Sequence, residues 1–172
     1  NAAFFALNPL VIIETLVSGH NDIVMMVLAV SGMAVFYKYK VRGLLLLATS
    51  ILVKGVTVFL LPLLFFRNLS RAKCYLLSAV VMLIAYLVFA PLREELYPWY
   101  AIWFLSFAAL LPREKKYNLL RGFSVAFTLG LELRHLPYMI TGNYGNGGPM
   151  WRIILTIVPV ILYAVLTKLG HG

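Results

Sequence analysis

The sequence predicts an all-α, polytopic bundle of transmembrane helices with one broken or re-entrant element, and three observations carry that prediction. Of the 172 residues, 62% are hydrophobic and only 12% charged, with a mean hydropathy of +0.91, far from the balance of a soluble domain. The apolar residues gather into runs at 2–17, 23–37, 43–66, 74–92, 99–111, 122–141 and 151–167. In lipid such runs must be helical, because a strand with an unpaired edge leaves backbone groups unsatisfied. Finally, the cations between the runs obey the positive-inside rule only if one run turns back on itself. The length allows about six to eight crossings at roughly 20 residues each, so one transmembrane helical domain over 1–172 is expected.

The formal charge of +9, from 15 Lys and Arg against 6 Asp and Glu, would point to nucleic acid in a soluble protein. In a membrane protein it records basic loops on the cytoplasmic side, and no nucleic-acid partner is expected. Cys74 is the single cysteine, which excludes an internal disulfide or a cysteine-based metal site and suits a small core residue.

Taken in order, the first run stops at Ser18-Gly19-His20-Asn21-Asp22 before hydrophobicity resumes at Ile23. A helix reaching the membrane boundary there exposes three side chains able to bind a sugar, a phosphate or a metal. The competing account is that Asn21 and Asp22 cap the next helix. Glu14 sits roughly 9 Å below that rim at about 1.5 Å per residue, a depth at which an ionisable group faces a cavity or a partner.

Lys38, Lys40 and Arg42 form one basic cluster, Arg67, Arg71 and Lys73 a second, and Arg113, Lys115, Lys116 and Arg121 a third, with Lys168 near the end. If every run crossed once, the first and second clusters would face opposite sides. All fall on one side if the run 43–66 bends near Lys54-Gly55 and leaves by the face it entered. Irregular backbone at that depth requires protein or water around it. Lys54 then either serves a ligand or pairs with carbonyls at the break; an inward-facing hairpin would leave it short of the outer rim.

With this topology, His20-Asn21-Asp22, the stretch Arg93-Glu94-Glu95-Leu96-Tyr97-Pro98 and the loop 142–150 share the outer face. Arg93, Glu94 and Glu95 are candidate ligand contacts there. The aromatics that follow suit interfacial anchors, and Pro98 suits a helix start. Within the run 122–141, Glu132, Arg134 and His135 are either an internal ion-paired group or cavity-facing ligands. The Gly-rich loop 142–149 lacks the strand, helix and Lys of a phosphate loop. Asn68-Leu69-Ser70 fits the N-glycosylation pattern but lies among inner-face cations.

Asn8-Pro9-Leu10-Val11 with Gly19-His20-Asn21-Asp22, then Lys54 in a run holding Leu61-Pro62-Leu63, then Tyr97-Pro98-Trp99-Tyr100 with Trp103, resemble the polyprenol-phosphate-mannose-dependent mannosyltransferases of the GT-C superfamily. The likeness in order and spacing spans residues 1 to about 111. It implies a GT-C-like fold in a multi-pass protein of the plasma (cytoplasmic) membrane. It also implies inverting transfer of a sugar, mannose first among candidates, from a polyprenyl-phosphate-sugar donor to a glycan or lipid-linked acceptor at the outer face. His20 and Asp22 are then expected in the catalytic site, with Asn21, Glu14, Lys54, Arg93, Glu94, Glu95, Arg134 and His135 as substrate contacts. The family's principal carboxylate lies on a loop ahead of the matching segment, so the chain, which opens at Asn1 inside apolar sequence, is expected to be the C-terminal portion of a longer one. No metal ligand set is assigned: one His beside one Asp falls short of the three or four ligands a metal requires, and a divalent ion completed by upstream residues is the one cofactor left open. The alternatives are a transporter or lipid-flipping bundle, for which an inverted repeat is expected and none is visible, and a non-catalytic membrane partner subunit.

Overall fold

The computed structural model describes residues 2–66, 69–89, 95–143 and 148–169, and no strand occurs among them. The first apolar run is divided. Helix α1, Ala2–Ala6, stops at Asn8, whose side-chain oxygen accepts from the Leu10 amide and caps α2, Pro9–Ile12, with Pro9 at the position where a missing N–H costs nothing. The helix widens into a π-turn over Ile13–Val17. Gly19 then adopts φ 68°, which favours glycine, and the chain bends by 114° into α3, Asp22–Phe36.

Helix α4, Lys40–Val53, returns along α3. The two pack closely around glycines: a Cβ on Gly32 would lie 3.0 Å from the Gly43 carbonyl oxygen, and one on Gly43 2.5 Å from the Phe36 Cα. At Lys54 the backbone becomes extended, φ −158° and ψ 119°, and the chain continues as a 3-10 helix over Gly55–Phe65. Tighter winding rises about 2 Å per residue. Eleven residues therefore cover roughly 22 Å, matching the roughly 21 Å of the 14-residue α4 at about 1.5 Å each. The equal arms bring the chain back to where it started. Arg71, at the start of α5 (Arg71–Phe89), lines a pocket with Lys38, Tyr37 and Met33, so these members of the first two basic clusters meet at one end of the bundle as the turned-back run required; Arg67 and Asn68 lie outside the described residues.

After a 3-10 turn over Pro98–Tyr100, α6, Ala101–Ala108, runs through the centre with every residue buried. A helix apolar on all sides belongs in a core. Around it pack Met25 and Met33 of α3, Leu60 of the 3-10 segment, Met82 and Tyr86 of α5, and Phe127 of α7, Asn118–Leu133. Cys74 is buried, as a small core residue should be. Arg121 donates to the carbonyls of Leu111 and Pro112, tying the third basic stretch to the foot of α6.

Helix α8, Leu136–Thr141, follows α7 after a break at Arg134-His135, with Pro137 in its first turn. Helix α9, Gly148–Leu169, then lies along α7. Their approach depends on Gly130, where an added Cβ would stand 2.2 Å from the Thr156 carbonyl oxygen, an atom fixed in the α9 backbone. Gly130→Ala is accordingly expected to lower stability by about 1–3 kcal/mol, as overpacking does. Thermal unfolding in detergent measures it, and an unshifted midpoint would show that α9 is free to move away.

Arg71–Phe89 and Met150–Leu169 are long and apolar enough to cross a membrane, and the bent pair Pro9–Val17 with Asp22–Phe36 adds a third if it forms one span. The protein is thus a helical membrane protein with fewer full-length crossings, among the described residues, than the six to eight its length allows. Breaks at Lys54 and Arg134-His135 limit α4 and α7 to 14 and 16 residues, and α3 has 15. Those reach roughly 21–24 Å, short of a hydrocarbon core of about 30 Å.

Candidate functional site

The polar end of the bundle, opposite the basic clusters, gathers residues from six parts of the chain. Asp22 opens α3 and is fully enclosed. Lys54 Nζ donates to both of its carboxylate oxygens, at 2.9 and 2.8 Å, and Trp103 Nε1 of α6 donates to Oδ1. Capping is therefore not its role, and neither Asn21 nor any other side chain caps α3; Asn21 itself is exposed. A carboxylate in such surroundings is tolerated because charge-assisted donors replace the water it has lost.

The helix break is what places Lys54 there. Extended backbone at the tip of the α4 hairpin lets its side chain reach Asp22, 32 positions earlier. The ammonium also stands 4.7 Å from the centre of the Tyr100 ring and 5.9 Å from Trp103, close enough for cation–π attraction. Carboxylate and aromatic faces leave its side chain 28% exposed. That opening gives onto a groove of about 320 Å³ lined by Val56, Val58, Phe59 and Phe89, with Tyr100 and Trp103 at its head. The expected conflict between an inward-facing hairpin and a role at the outer rim disappears, because the hairpin tip is itself at the rim.

His20 stacks on Trp99, ring centres 4.0 Å apart and planes 22° from parallel, and Trp99 stacks in turn on Tyr97 at 4.6 Å. The π-turn brings Glu14 under this column: the His20 amide donates to the Glu14 carbonyl, and His20 Nε2 lies 3.4 Å from the buried Glu14 Oε2 without hydrogen-bond geometry. Asn8 donates to Thr128 Oγ1 and so fastens α2 to α7.

A third group surrounds Glu95. One of its oxygens, Oε2, accepts from Arg134 Nη2 at 2.8 Å and from Arg152 Nη1 of α9 at 2.7 Å. Glu132, the other carboxylate considered for Arg134, keeps a buried Oε1 with no hydrogen-bond partner. His135 makes no ion pair among the described residues; burial first, and then the Arg134 charge, hold its imidazole below the ordinary value, with Arg152 acting in the same direction and Glu95 against. Arg93 and Glu94 lie outside the described residues.

Of the residues singled out from sequence, the fold thus unites Asp22 with Lys54, Glu14 with His20, and Glu95 with Arg134. Sequence reasoning missed Arg152 and the part Trp103 plays beneath Asp22. An arginine interrupting the apolar run of α9 was a legible signal, since a charge there is costly unless paired. Nothing local marks Trp103 as a donor to Asp22. Among the described residues, no three His, Cys, Asp or Glu side chains come together as a metal ligand set.

Apolar helices that carry ion pairs and an aromatic column at one end, beside a groove ending on a cation, define a membrane protein with a polar site at the end of its bundle. Residues 1–69 match the family model described as Alpha-(1->6)-mannopyranosyltransferase, N-terminal domain, of the MptA_B family. The resemblance to a mannosyltransferase family therefore holds over that stretch, which carries Glu14, His20, Asp22 and Lys54, while Glu95, Trp103, Arg134 and Arg152 lie beyond it. The match supports mannosyl transfer, with a sugar donor and a glycan acceptor in general. No curated protein and no solved structure matches the chain.

Proposed function

We propose that the protein is a GT-C-type mannosyltransferase of the plasma membrane that takes mannose from a polyprenyl-phosphate donor and passes it to a glycan or lipid-linked acceptor at the outer face. The observation that carries this is the clasped Lys54 at the head of the apolar groove. A donor whose lipid stays in the bilayer needs apolar walls for its chain and a cation where its phosphate departs. Val56, Val58, Phe59 and Phe89 supply the walls, and Lys54 supplies the cation.

In this reaction the acceptor oxygen bonds to the anomeric carbon as the bond from that carbon to the phosphate oxygen breaks. The acceptor proton passes to a carboxylate, and the lipid phosphate leaves with the bonding electrons. Asp22 acts as a positioning residue, because its oxygens are occupied by Lys54 and Trp103. His20, stacked on Trp99 and braced by Glu14, stands on the acceptor side with Glu95.

The test is reconstitution of the full-length protein in nanodiscs with labelled polyprenyl-phosphate-mannose and a short α-mannoside. A mannoside extended by one residue, with one lipid phosphate released per transfer, is the expected outcome. In proteoliposomes, movement of the intact donor across the bilayer without extended product would replace the transferase with the flipping bundle.

A further inference from the structure

We propose that the groove between the end of α3 and the start of α5, at the end of the bundle opposite Lys54, binds the phosphodiester headgroup of an anionic phospholipid. Such a site is independent of the transferase reading.

The groove encloses about 390 Å³, within the range of small-ligand sites, about 300–1,000 Å³. Buried Met33 and Cys74 form its floor, and exposed Tyr37, Lys38 and Arg71 stand at its rim. Cations at the ends of membrane helices ordinarily extend their charge into water and need no ligand. Here they come from two separate elements and flank a concavity that reaches about one turn into each helix, as far as Cys74 in α5 and Met33 in α3. Helix α5 is long and apolar enough to cross a membrane, so Arg71, its first residue, stands at headgroup level. The basic clusters mark this end as the inner one, the leaflet whose anionic lipids attract such cations, and basic pockets between membrane helices there are suited to lipid headgroups.

Charge balance points the same way. Among the described residues neither Lys38 nor Arg71 is ion-paired: Glu14, Asp22, Glu95 and Glu114 face other cations, and Glu132 lies in the field of Glu14. The remaining acid of the sequence, Glu94, lies outside the described residues, and its peptide link holds its Cα about 3.8 Å from that of Glu95, which pairs with Arg134 at the other end of the bundle. Lys38 Nζ stands 5.0 Å from the centre of the Tyr39 ring, a contact that attracts the cation without neutralising it. The partial charges of the helix ends, negative where α3 stops and positive where α5 starts, oppose each other, so the two side chains set the sign of the groove. A phosphodiester brings one negative charge and acceptor oxygens that a guanidinium fork and an ammonium can share. The glycerol backbone behind it covers the apolar floor, which a water-soluble anion would leave exposed.

Lipid binding to the full-length protein in a phosphate-free maltoside detergent, read by native mass spectrometry, tests the site. The probes are phosphatidylglycerol, phosphatidylcholine and glycerophosphoglycerol, the deacylated headgroup. Phosphatidylglycerol is expected to fill one saturable site at concentrations about tenfold or more below phosphatidylcholine, since two cations act on it. Lys38→Gln with Arg71→Gln is expected to abolish that preference. Lys40→Gln with Lys73→Gln removes as much charge from exposed positions outside the groove and is expected to leave affinity within about twofold of native, because solvated charges farther off are screened. Ala34→Phe, on the exposed groove wall, keeps both cations but fills the space, and is expected to weaken phosphatidylglycerol as the first pair does. Equal losses in the two charge variants would assign the attraction to the boundary as a whole and overturn the site. So would native affinity in Ala34→Phe, or equal binding of the two lipids. Glycerophosphoglycerol binding as tightly as the lipid would replace the phospholipid with a water-soluble anion.

Discussion

Lys54→Met is expected to reduce mannosyl transfer by a factor of about a hundred or more, the scale seen when a group stabilising developing charge is removed, and to destabilise the fold as well. The second effect comes from Asp22, fully enclosed and left with Trp103 as its remaining donor. Removing one partner of a buried ion pair costs about 3–5 kcal/mol. Lys54 is 28% exposed, which places the expected loss toward the lower end. Asp22→Asn in the same chain removes the stranded charge, so the double variant is expected to regain most of the lost stability. It is not expected to regain transfer, because the cation at the head of the groove is still missing. Thermal unfolding and turnover, measured on the two single variants and the double, separate these roles. Recovery of both together would make Lys54 a structural partner of Asp22 and nothing more.

Glu95→Gln is expected to lower stability by about 2 kcal/mol, since it leaves Arg134 and Arg152 facing each other over a neutral amide. Glu95 is 34% exposed, and water entering the gap keeps the cost below that of a fully enclosed pair. Adding Arg152→Gln removes the repulsion and is expected to restore about half of the loss. Chemical unfolding in detergent tests the pair of variants. An unchanged midpoint for Glu95→Gln would mean that the two guanidiniums are already solvated and that Glu95 contributes nothing to the fold.

The broken run shows how far sequence can carry a membrane fold. Placing every basic cluster on one side required a turn near Lys54-Gly55, and the structure breaks the helix there and seats Arg71 beside Lys38. Hydropathy could not show that the return arm winds as a 3-10 helix, which makes its length equal that of α4. Nor could it show that the run 2–17 is cut at Asn8, since one polar residue barely alters the average of a long apolar window; its effect depends on the bond from its side chain to the Leu10 amide. The aromatics at 97–100 suited interfacial anchors, yet Tyr100 lies buried under Lys54. Composition places aromatic rings near the boundary without saying which of them turn inward.

By itself the sequence determined that the chain is helical and membrane-embedded, that its basic loop clusters belong at one end, that one element turns back, and that His20, Asp22, Lys54, Glu95 and Arg134 are the charged groups to explain. Those properties follow from local composition and from the cost of unsatisfied backbone in lipid. Only the tertiary structure decided which charges meet. Asp22 is joined to residues 32 and 81 positions away, and Glu95 to residues 39 and 57 positions away. An ion pair depends on distances of a few ångströms, and these are set by helix crossings that steric contacts such as Gly130 on Thr156 hold in place.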